Sequence, residues 1–277
     1  MGFQIKKQEK VDRGLRRVLQ EQTGKAIETL SAPPEGREEA IHDFRVACKR
    51  LRAVLRLLHQ GGKGPARELD RRIGAIAGEL SNLRDADVML ETLEGLREAH
   101  PAWFDPTTFA KAHEDLRQER DRARAQAPDY AVLAADLQQR MREVNEAWAG
   151  IDLPSRKKDL RRAFHGTRER LDQTVAKTRP GHSEDLHRWR KRVKDLLYQG
   201  QLLARILKGH PKQEQRVLAQ LARALGQHHD LEVMAQLFEE KDLYPSTSAA
   251  EAIHQTMERQ QQTLEEEAVR LYKLLRS

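Results

Sequence analysis

The 277-residue chain has one cysteine, Cys48, which excludes an intrachain disulfide and a metal cluster built from the thiolates of one chain. No stretch approaches the roughly 18 apolar residues that a membrane span requires. No apolar segment of the signal-peptide type follows Lys6 and Lys7, and Lys6 stands where a myristoylation signal would have Ser or Thr. We therefore expect a cytoplasmic protein that does not contact a membrane.

Aromatic residues are also scarce, at 5% of the chain, whereas charged residues reach 34%. With few β-branched runs, this composition is typical of long, strongly charged helices and predicts an all-α fold. The 50 Lys and Arg residues exceed the 43 Asp and Glu residues and give a net charge of +7. Polyanions are therefore the expected partners.

One segment occurs twice. The stretch from Ile41 to Met89 recurs from Leu186 to Met234 without insertion or deletion, at a constant offset of 145 residues. The matched pairs include His42 with His187, Arg45 with Arg190, Lys49 with Lys194, Leu80 with Leu225 and Asp85 with Asp230. Such a register implies a duplicated unit in which each half needs the other to close a surface.

Interruptions of the helical periodicity predict where helices end. They fall at residues 31–34, 61–65, 81–85 and 100–106, near Pro128, and at 150–154, 179–181, 209–211, 227–230 and 244–246. We expect one domain over residues 1–277, made of a first repeat at 1–149 and a second at 150–277. Each repeat is predicted to be an antiparallel bundle of about four to five helices, and the two bundles are pseudo-symmetric.

A ladder of basic residues runs along one face of the predicted second helix. Spacings of three and four residues place its members on one helical face: they are His42, Arg45, Lys49, Arg52, Arg56 and His59. An apolar stripe lies one residue earlier, rotated by roughly 100°, so the ladder borders the core. From His42 to Arg56 the ladder covers about 21 Å, which is room for several phosphates in a row.

The second half carries a shorter ladder. It contains His187, Arg190 and Lys194, lapses at Leu197 and Gln201, and has Lys191 and Arg192 close by in sequence.

These doubled motifs resemble those of the CHAD family, an α-helical domain named for conserved histidines. The resemblance rests on His42-x-x-Arg45-Val46-x-x-Lys49-Arg50-Leu51-Arg52, on His187-x-x-Arg190-x-x-x-Lys194, and on Leu-x4-Asp-x2-Val-Met at 80–89 and 225–234. It covers nearly the whole chain. It implies two pseudo-symmetric helical bundles around a basic channel that binds inorganic polyphosphate, and a role in recruiting or organising polyphosphate stores, with association to polyphosphate granules.

The family's binding residues transfer by position to both ladders, and the basic residues Arg56 and Lys191 extend the set. The candidate polyphosphate site is His42, Arg45, Lys49, Arg52, Arg56, His187, Arg190, Lys191 and Lys194. Asp195 and Leu197 stand where the family often has further basic residues, so we expect the second half to bind less tightly.

Elementary chemistry supports the same ligand. A linear polyphosphate presents charge without base edges, so it requires guanidinium and ammonium groups in a groove and no stacking platforms. Single-stranded nucleic acid favours aromatic platforms, yet Phe44 and Trp189 fall on the apolar stripes. Nucleic acid is therefore the weaker candidate.

No Gly-rich phosphate loop or nucleophile elbow is present, and we expect no catalytic residue, no metal and no cofactor. A metal-dependent phosphohydrolase or phosphotransferase that uses the histidine pair is the enzymatic alternative. His228, His229 and Asp230 are plausible metal ligands, but the matching segment 83–85 holds Leu-Arg-Asp. A loop ahead of a helix N-cap is the better interpretation.

Other interpretations of the ladder remain. Basic residues beside an apolar stripe most often form a solvated helix face, although the duplication argues against that here. A structural interpretation places His42 and His187 at helix starts, packed against a turn. Asp85 and Asp230 precede apolar helical runs and are interpreted as N-caps, and Cys48 is predicted to be a buried small hydrophobe.

Overall fold

Ten α-helices make up most of the computed structural model, which describes residues 2–31, 36–99, 101, 106–126, 129–207, 211–240 and 247–276. The helices are α1 (Val11–Thr29), α2 (Arg37–His59), α3 (Pro65–Gly78), α4 (Ser81–Ala99), α5 (Pro106–Gln126), α6 (Tyr130–Ala147), α7 (Lys157–Val175), α8 (Ser183–Leu202), α9 (Pro211–Glu240) and α10 (Thr247–Arg276). Those residues contain no strand, and the predicted all-α class is confirmed.

Local chemistry explains the ends of the ladder helix. Glu38 and Glu39 lie in the first turn of α2, where carboxylates favour the positive end of the helix dipole. The helix stops at Gln60, whose φ of 48° is left-handed. Pro65 then opens α3 at a position that needs no backbone donor.

Several predicted interruptions coincide with observed helix ends. These are the ones at 61–65, at 150–154 and at 179–181. The interruption predicted at 81–85 is displaced, because the turn lies at Glu79 and Leu80 and α4 already begins at Ser81. The predictions at 32–34, 100, 102–105, 127–128, 209–210 and 244–246 lie outside the described residues.

The break predicted at 227–230 is wrong, because α9 continues through it from Pro211 to Glu240. In the first half the equivalent turn between α3 and α4 follows Gly78, which disfavours a helix by about 1 kcal/mol relative to Ala. Arg223, a strong helix former, takes that position in the second half, and α9 tolerates Gly226 where the first half has Ser81. One α-helix replaces two at this place. Within the described residues six α-helices precede residue 150 and four follow it, so the first repeat exceeds the predicted four to five helices, and the fusion in α9 accounts for one of the two additional helices.

The N-cap interpretations fail for the same reason. Asp230 lies inside α9, and α4 begins at Ser81, four residues before Asp85. The side chain of Asp85 lies outside the described residues. His228 and His229 are also helical residues of α9, so the loop interpretation of this segment is wrong.

The main hydrophobic core draws on residues from both sides of residue 150. Phe44 of α2 and Trp189 of α8, which occupy equivalent positions of the repeat, belong to it and are 0% and 1% exposed. Gln199 links the same two helices where its Nε2 donates to the carbonyl oxygen of Ala53 over 3.0 Å. Cys48 is buried in this core as predicted, and burial raises the pKa of its thiol to about 12.

A smaller core lies apart from the first. It joins residues of α4, α5, α9 and α10, including Leu93, Leu116, Met234 and Phe238. Because α9 also packs on α8, this helix connects the two cores. Among the described helices, none combines the length and apolar character of a membrane-crossing segment.

A shared core predicts that the two repeats unfold together. Phe44→Ala and Trp189→Ala should each lower the free energy of unfolding by about 3–5 kcal/mol and leave a single urea transition. Tryptophan fluorescence of the Phe44 variant and circular dichroism of both variants measure this. Val132→Ala, at a side chain that is 66% exposed, serves as the control and should change stability by less than about 0.5 kcal/mol. Two separated transitions would contradict the shared core.

Candidate functional site

A groove of about 490 Å³ lies where α2 packs against α8. Residues of α4 and α9 complete its walls. All nine residues of the candidate site line it: His42, Arg45, Lys49, Arg52, Arg56, His187, Arg190, Lys191 and Lys194. The two ladders, which are 145 residues apart in sequence, therefore meet in one place.

The lining of this groove is strongly basic. Seven of its residues are Lys or Arg and three are histidines, whereas its carboxylates are Asp195 and Asp230. Val88, Met89 and Val233 supply apolar surface, and Tyr198 is the only tyrosine, phenylalanine or tryptophan among the described lining residues. The groove thus offers many donors to an anion and little surface for base stacking.

Arg45 is held at the turn between α3 and α4. Its Nη1 donates to the carbonyl oxygen of Ala77 at 2.9 Å and to Oγ of Ser81 at 2.8 Å. These neutral acceptors orient the guanidinium and leave its charge in place. Arg190, the matching residue, lies with Nη2 3.9 Å from Oδ1 of Asp230, so its charge is partly balanced.

Arg52 and Arg56 have structural partners at the other end of the ladder. Nε of Arg52 and Nε of Arg56 donate to the carboxylate of Asp70 at 2.8 and 3.1 Å, and Nη1 of Arg56 donates to Asp195 at 2.8 Å. Burial tends to raise the pKa of Asp70, but the two guanidiniums outweigh it and hold that pKa below its usual value. These arginines line the groove and also tie α2 to α3 and α8.

Glycine at position 74 makes room for this network. A methyl group there would lie 2.9 Å from Cζ of Arg52, so any larger residue would push the guanidinium. Sequence analysis did not single out Gly74, and only the close approach of α3 to α2 shows why a glycine suits the position.

Lys194 shows how positive the groove is. Its pKa is lowered to about 7, by burial first and then by the charges of Arg190 and Lys49. No described carboxylate lies within ion-pairing distance of it. The pKa of Lys191 is also lowered, by burial first and then by Arg56. Both ammonium groups would gain from a bound anion.

Two histidines face each other in the groove. The rings of His187 and His229 lie 5.0 Å apart between centroids. Burial, with the charge of Lys191, lowers the pKa of His187 to about 4, and its buried Nδ1 has no hydrogen-bond partner. His187 is therefore neutral at pH 7. The two matched histidines also differ in exposure, since His187 is half-buried and His42 is exposed.

The sequence-based candidate set missed His229 and Tyr198. His229 lies one helical turn before Val233, so both face the groove from α9. This spacing would have indicated His229 if the helix had not been predicted to break there. Within the described part of the chain, no group of three or more His, Cys, Asp or Glu side chains forms a metal site.

The family is shown by comparison with known proteins. A model of the CHAD domain matches residues 17–239, a span that contains both basic helices, and the chain belongs to the CHAD domain family.

Two solved structures share the fold. One is PptA from Streptomyces chartreusis, with a TM-score of 0.68, 16% identity and coverage of 96% of this chain and 100% of that one. The other is the CHAD domain from the plant Ricinus communis, with a TM-score of 0.65, 19% identity and coverage of 98% and 96%. No curated protein matches the chain.

The lowered pKa of Lys194 predicts a pH-dependent stability effect. The folded protein protonates Lys194 less readily than the unfolded chain, so this residue costs most stability below pH 7, and the cost shrinks as the pH rises toward the ordinary value of 10.5. Lys194→Met should raise the melting temperature most at about pH 6 and less at about pH 9. Lys158→Met, at an exposed position of α7, is the control. An equal rise in melting temperature for Lys194→Met at both pH values would show that the pKa of Lys194 is not lowered in the folded protein.

Proposed function

We propose that this protein binds inorganic polyphosphate in the groove between α2 and α8. The observation that carries the proposal is the convergence of both ladders on one groove, in which seven Lys or Arg residues face two carboxylates. The lowered pKa of Lys194 supports it, because such a lysine regains its charge when an anion neutralises its surroundings. The nine candidate residues are the proposed contacts.

The proposed role is binding without catalysis. A cytoplasmic protein of this kind would recruit or organise polyphosphate stores, in association with polyphosphate granules. Nucleic acid is the weaker ligand, because Tyr198 is the one aromatic ring of the Phe, Tyr and Trp types in the described lining. Stacking on such rings contributes about 1–3 kcal/mol per base in single-strand binders.

The matched arginines provide the first test. Arg45→Gln with Arg190→Gln removes two guanidiniums that face the groove, and polyphosphate affinity should fall on the order of a hundredfold, because hydrogen bonds to charged groups are worth about 1.5–3 kcal/mol each. Isothermal titration calorimetry measures the affinity, and a thermal melt checks the fold.

The charge-matched control is Arg117→Gln with Arg122→Gln. Both arginines are exposed on α5 and pair with the neighbouring Glu114 and Glu119. The control should keep its affinity within about twofold, since surface ion pairs contribute little. If the control lost as much affinity as the groove variant, only the net charge would matter and the assigned site would be wrong.

Chain length and salt provide a second test. Affinity should rise with the number of phosphates until both ladders are occupied. It should fall with salt with a log-log slope on the order of 0.7 per contacted phosphate, as for a flexible single strand. Fluorescence titrations with graded chains measure both quantities. A slope near zero, or orthophosphate that competes as well as a long chain, would contradict an extended electrostatic site.

The neutral imidazole of His187 favours a second candidate function, phosphoryl transfer. An unprotonated ring nitrogen can act as a nucleophile toward a phosphoryl group, and the pKa of about 4 keeps His187 in that form. The test incubates the protein with polyphosphate and magnesium or manganese and measures released phosphate. We expect no release above the background of a His187→Ala variant. Release that is lost in this variant would establish the enzyme and refute the purely binding role.

A further inference from the structure

A second cleft adjoins the groove. It measures about 470 Å³ and shares Arg56, Lys191 and Asp195 with the groove. A further depression of about 430 Å³ continues from it between α7 and α8, and the two share Arg170, Arg188 and Arg192. We call these two continuous depressions the α7–α8 cleft.

The charges of this cleft are unbalanced. Eight Lys or Arg residues line its two parts, against the three carboxylates of Asp70, Asp185 and Asp195. Asp70 and Asp195 already accept hydrogen bonds from Arg56, and Asp185 pairs with Arg188. Arg170 has neutral partners instead, because its Nη1 donates to Gln60 at 2.8 Å and its Nη2 to Thr167 at 2.9 Å. Its positive charge is therefore held in position without a paired carboxylate among these partners.

Comparison of the two repeats shows that the second half has more positive charge at these positions than the first half. In the first half the positions of Arg170 and Arg188 are occupied by Lys25 and Asp43, which form an ion pair at 3.0 Å. The second half replaces this pair with two arginines. Arg188 pairs with Asp185 and Arg192 lies 3.8 Å from Asp195, so the cleft is neutralised only in part and keeps an excess of cationic groups.

Two neighbouring positions change in the same direction. Lys191 and Arg192 occupy the positions that Val46 and Ala47 hold in the first half. The second ladder lacks basic residues at Leu197 and Gln201, and its additional charge lies on the side of α8 that lines the cleft. The pKa of Arg170 is lowered, by burial first and then by repulsion from Arg192.

We infer that the α7–α8 cleft is a second subsite that holds the part of a polyphosphate chain extending beyond the groove. Lys191 lines both the groove and the cleft, so one chain can pass from the first ladder to the cleft without leaving basic surface. This inference rests on the proposed function, because it assigns the path of the same ligand. It makes the site asymmetric, with its extension in the second half.

The test replaces Arg170, Arg188 and Arg192 by Gln. None of the three lines the groove. The matched control replaces Arg117, Arg122 and Arg142, all exposed on α5 and α6, and loses the same charge. The probes are sodium polyphosphates of two lengths, a short chain no longer than the ladder of about 21 Å and a chain several times longer. Calorimetry gives the affinities.

We expect the cleft variant to bind the short chain like the wild type and the long chain about tenfold more weakly, as the loss of three solvent-accessible cationic contacts implies. The control should match the wild type with both chains. A variant with Lys at the three positions keeps the charge and should restore long-chain affinity, which separates a loss of charge from a folding defect.

The remaining outcomes overturn the inference. Unchanged long-chain affinity would show that the cleft holds no ligand, and an equal loss with both chains would show that it only supports the groove. An equal loss in the control would reduce the effect to net charge. Failure of the proposed function is distinct, because the wild type would then bind neither chain.

Discussion

The packing of α2 against α8 brings like charges together. Each helix carries a basic ladder one residue away from an apolar stripe, so burying both stripes in one core forces both ladders to face the same groove. Hydrophobic burial, at about 25 cal/mol per Å², supplies the attraction that holds the ladders against their mutual repulsion. Burial is the main cause of the lowered pKa values of Lys194 and Lys191, and repulsion from the neighbouring arginines lowers both in the same direction.

Carboxylates offset the repulsion more completely near Arg52 and Arg56 than near Arg190, where Asp230 lies 3.9 Å away. Asp70 and Asp195 neutralise Arg52 and Arg56, whereas the described partners of Arg45 are a backbone carbonyl and a hydroxyl. The part of the groove near Arg52 and Arg56 is therefore held together by ion pairs, and the part near Arg45 and Lys194 is more strongly cationic. A bound polyanion would reduce the electrostatic repulsion between the cationic side chains near Arg45 and Lys194.

Much of the site was predictable because the ladders depend on helical spacing alone. A run of three- and four-residue intervals places His42, Arg45 and Lys49 on one face of α2, and its copy does the same in α8. This much follows without knowledge of any tertiary contact. His229 was not predictable in the same way, because it requires α9 to continue past Gln227. Single-residue helix propensity does not decide the course of α9, because Arg223 in place of Gly78 favours a continuous helix by about 1 kcal/mol while Gly226 in place of Ser81 disfavours it.

The adjoining cleft was harder to predict, since its basic residues come from α7 and α8 and share no single helical face. The sequence shows Arg192 as a positive charge near the second ladder. Its proximity to Arg170 depends on how α7 packs on α8. Comparison of the two repeats supplies the missing signal. A position that is Asp43 in one copy and Arg188 in the other marks a surface whose charge differs between the halves.

The unbroken course of α9 has a structural consequence. This helix of 30 residues is about 45 Å long and is anchored in both cores, and His229 and Val233 lie on the wall it presents to the groove. The corresponding wall residues of the first repeat, Val88 and Met89, belong to α4, which packs on α9 and is separated from α3 by a two-residue turn at Glu79 and Leu80. The two repeats therefore build corresponding walls of one groove in different ways, with a continuous helix in the second repeat and a helix that starts after a turn in the first.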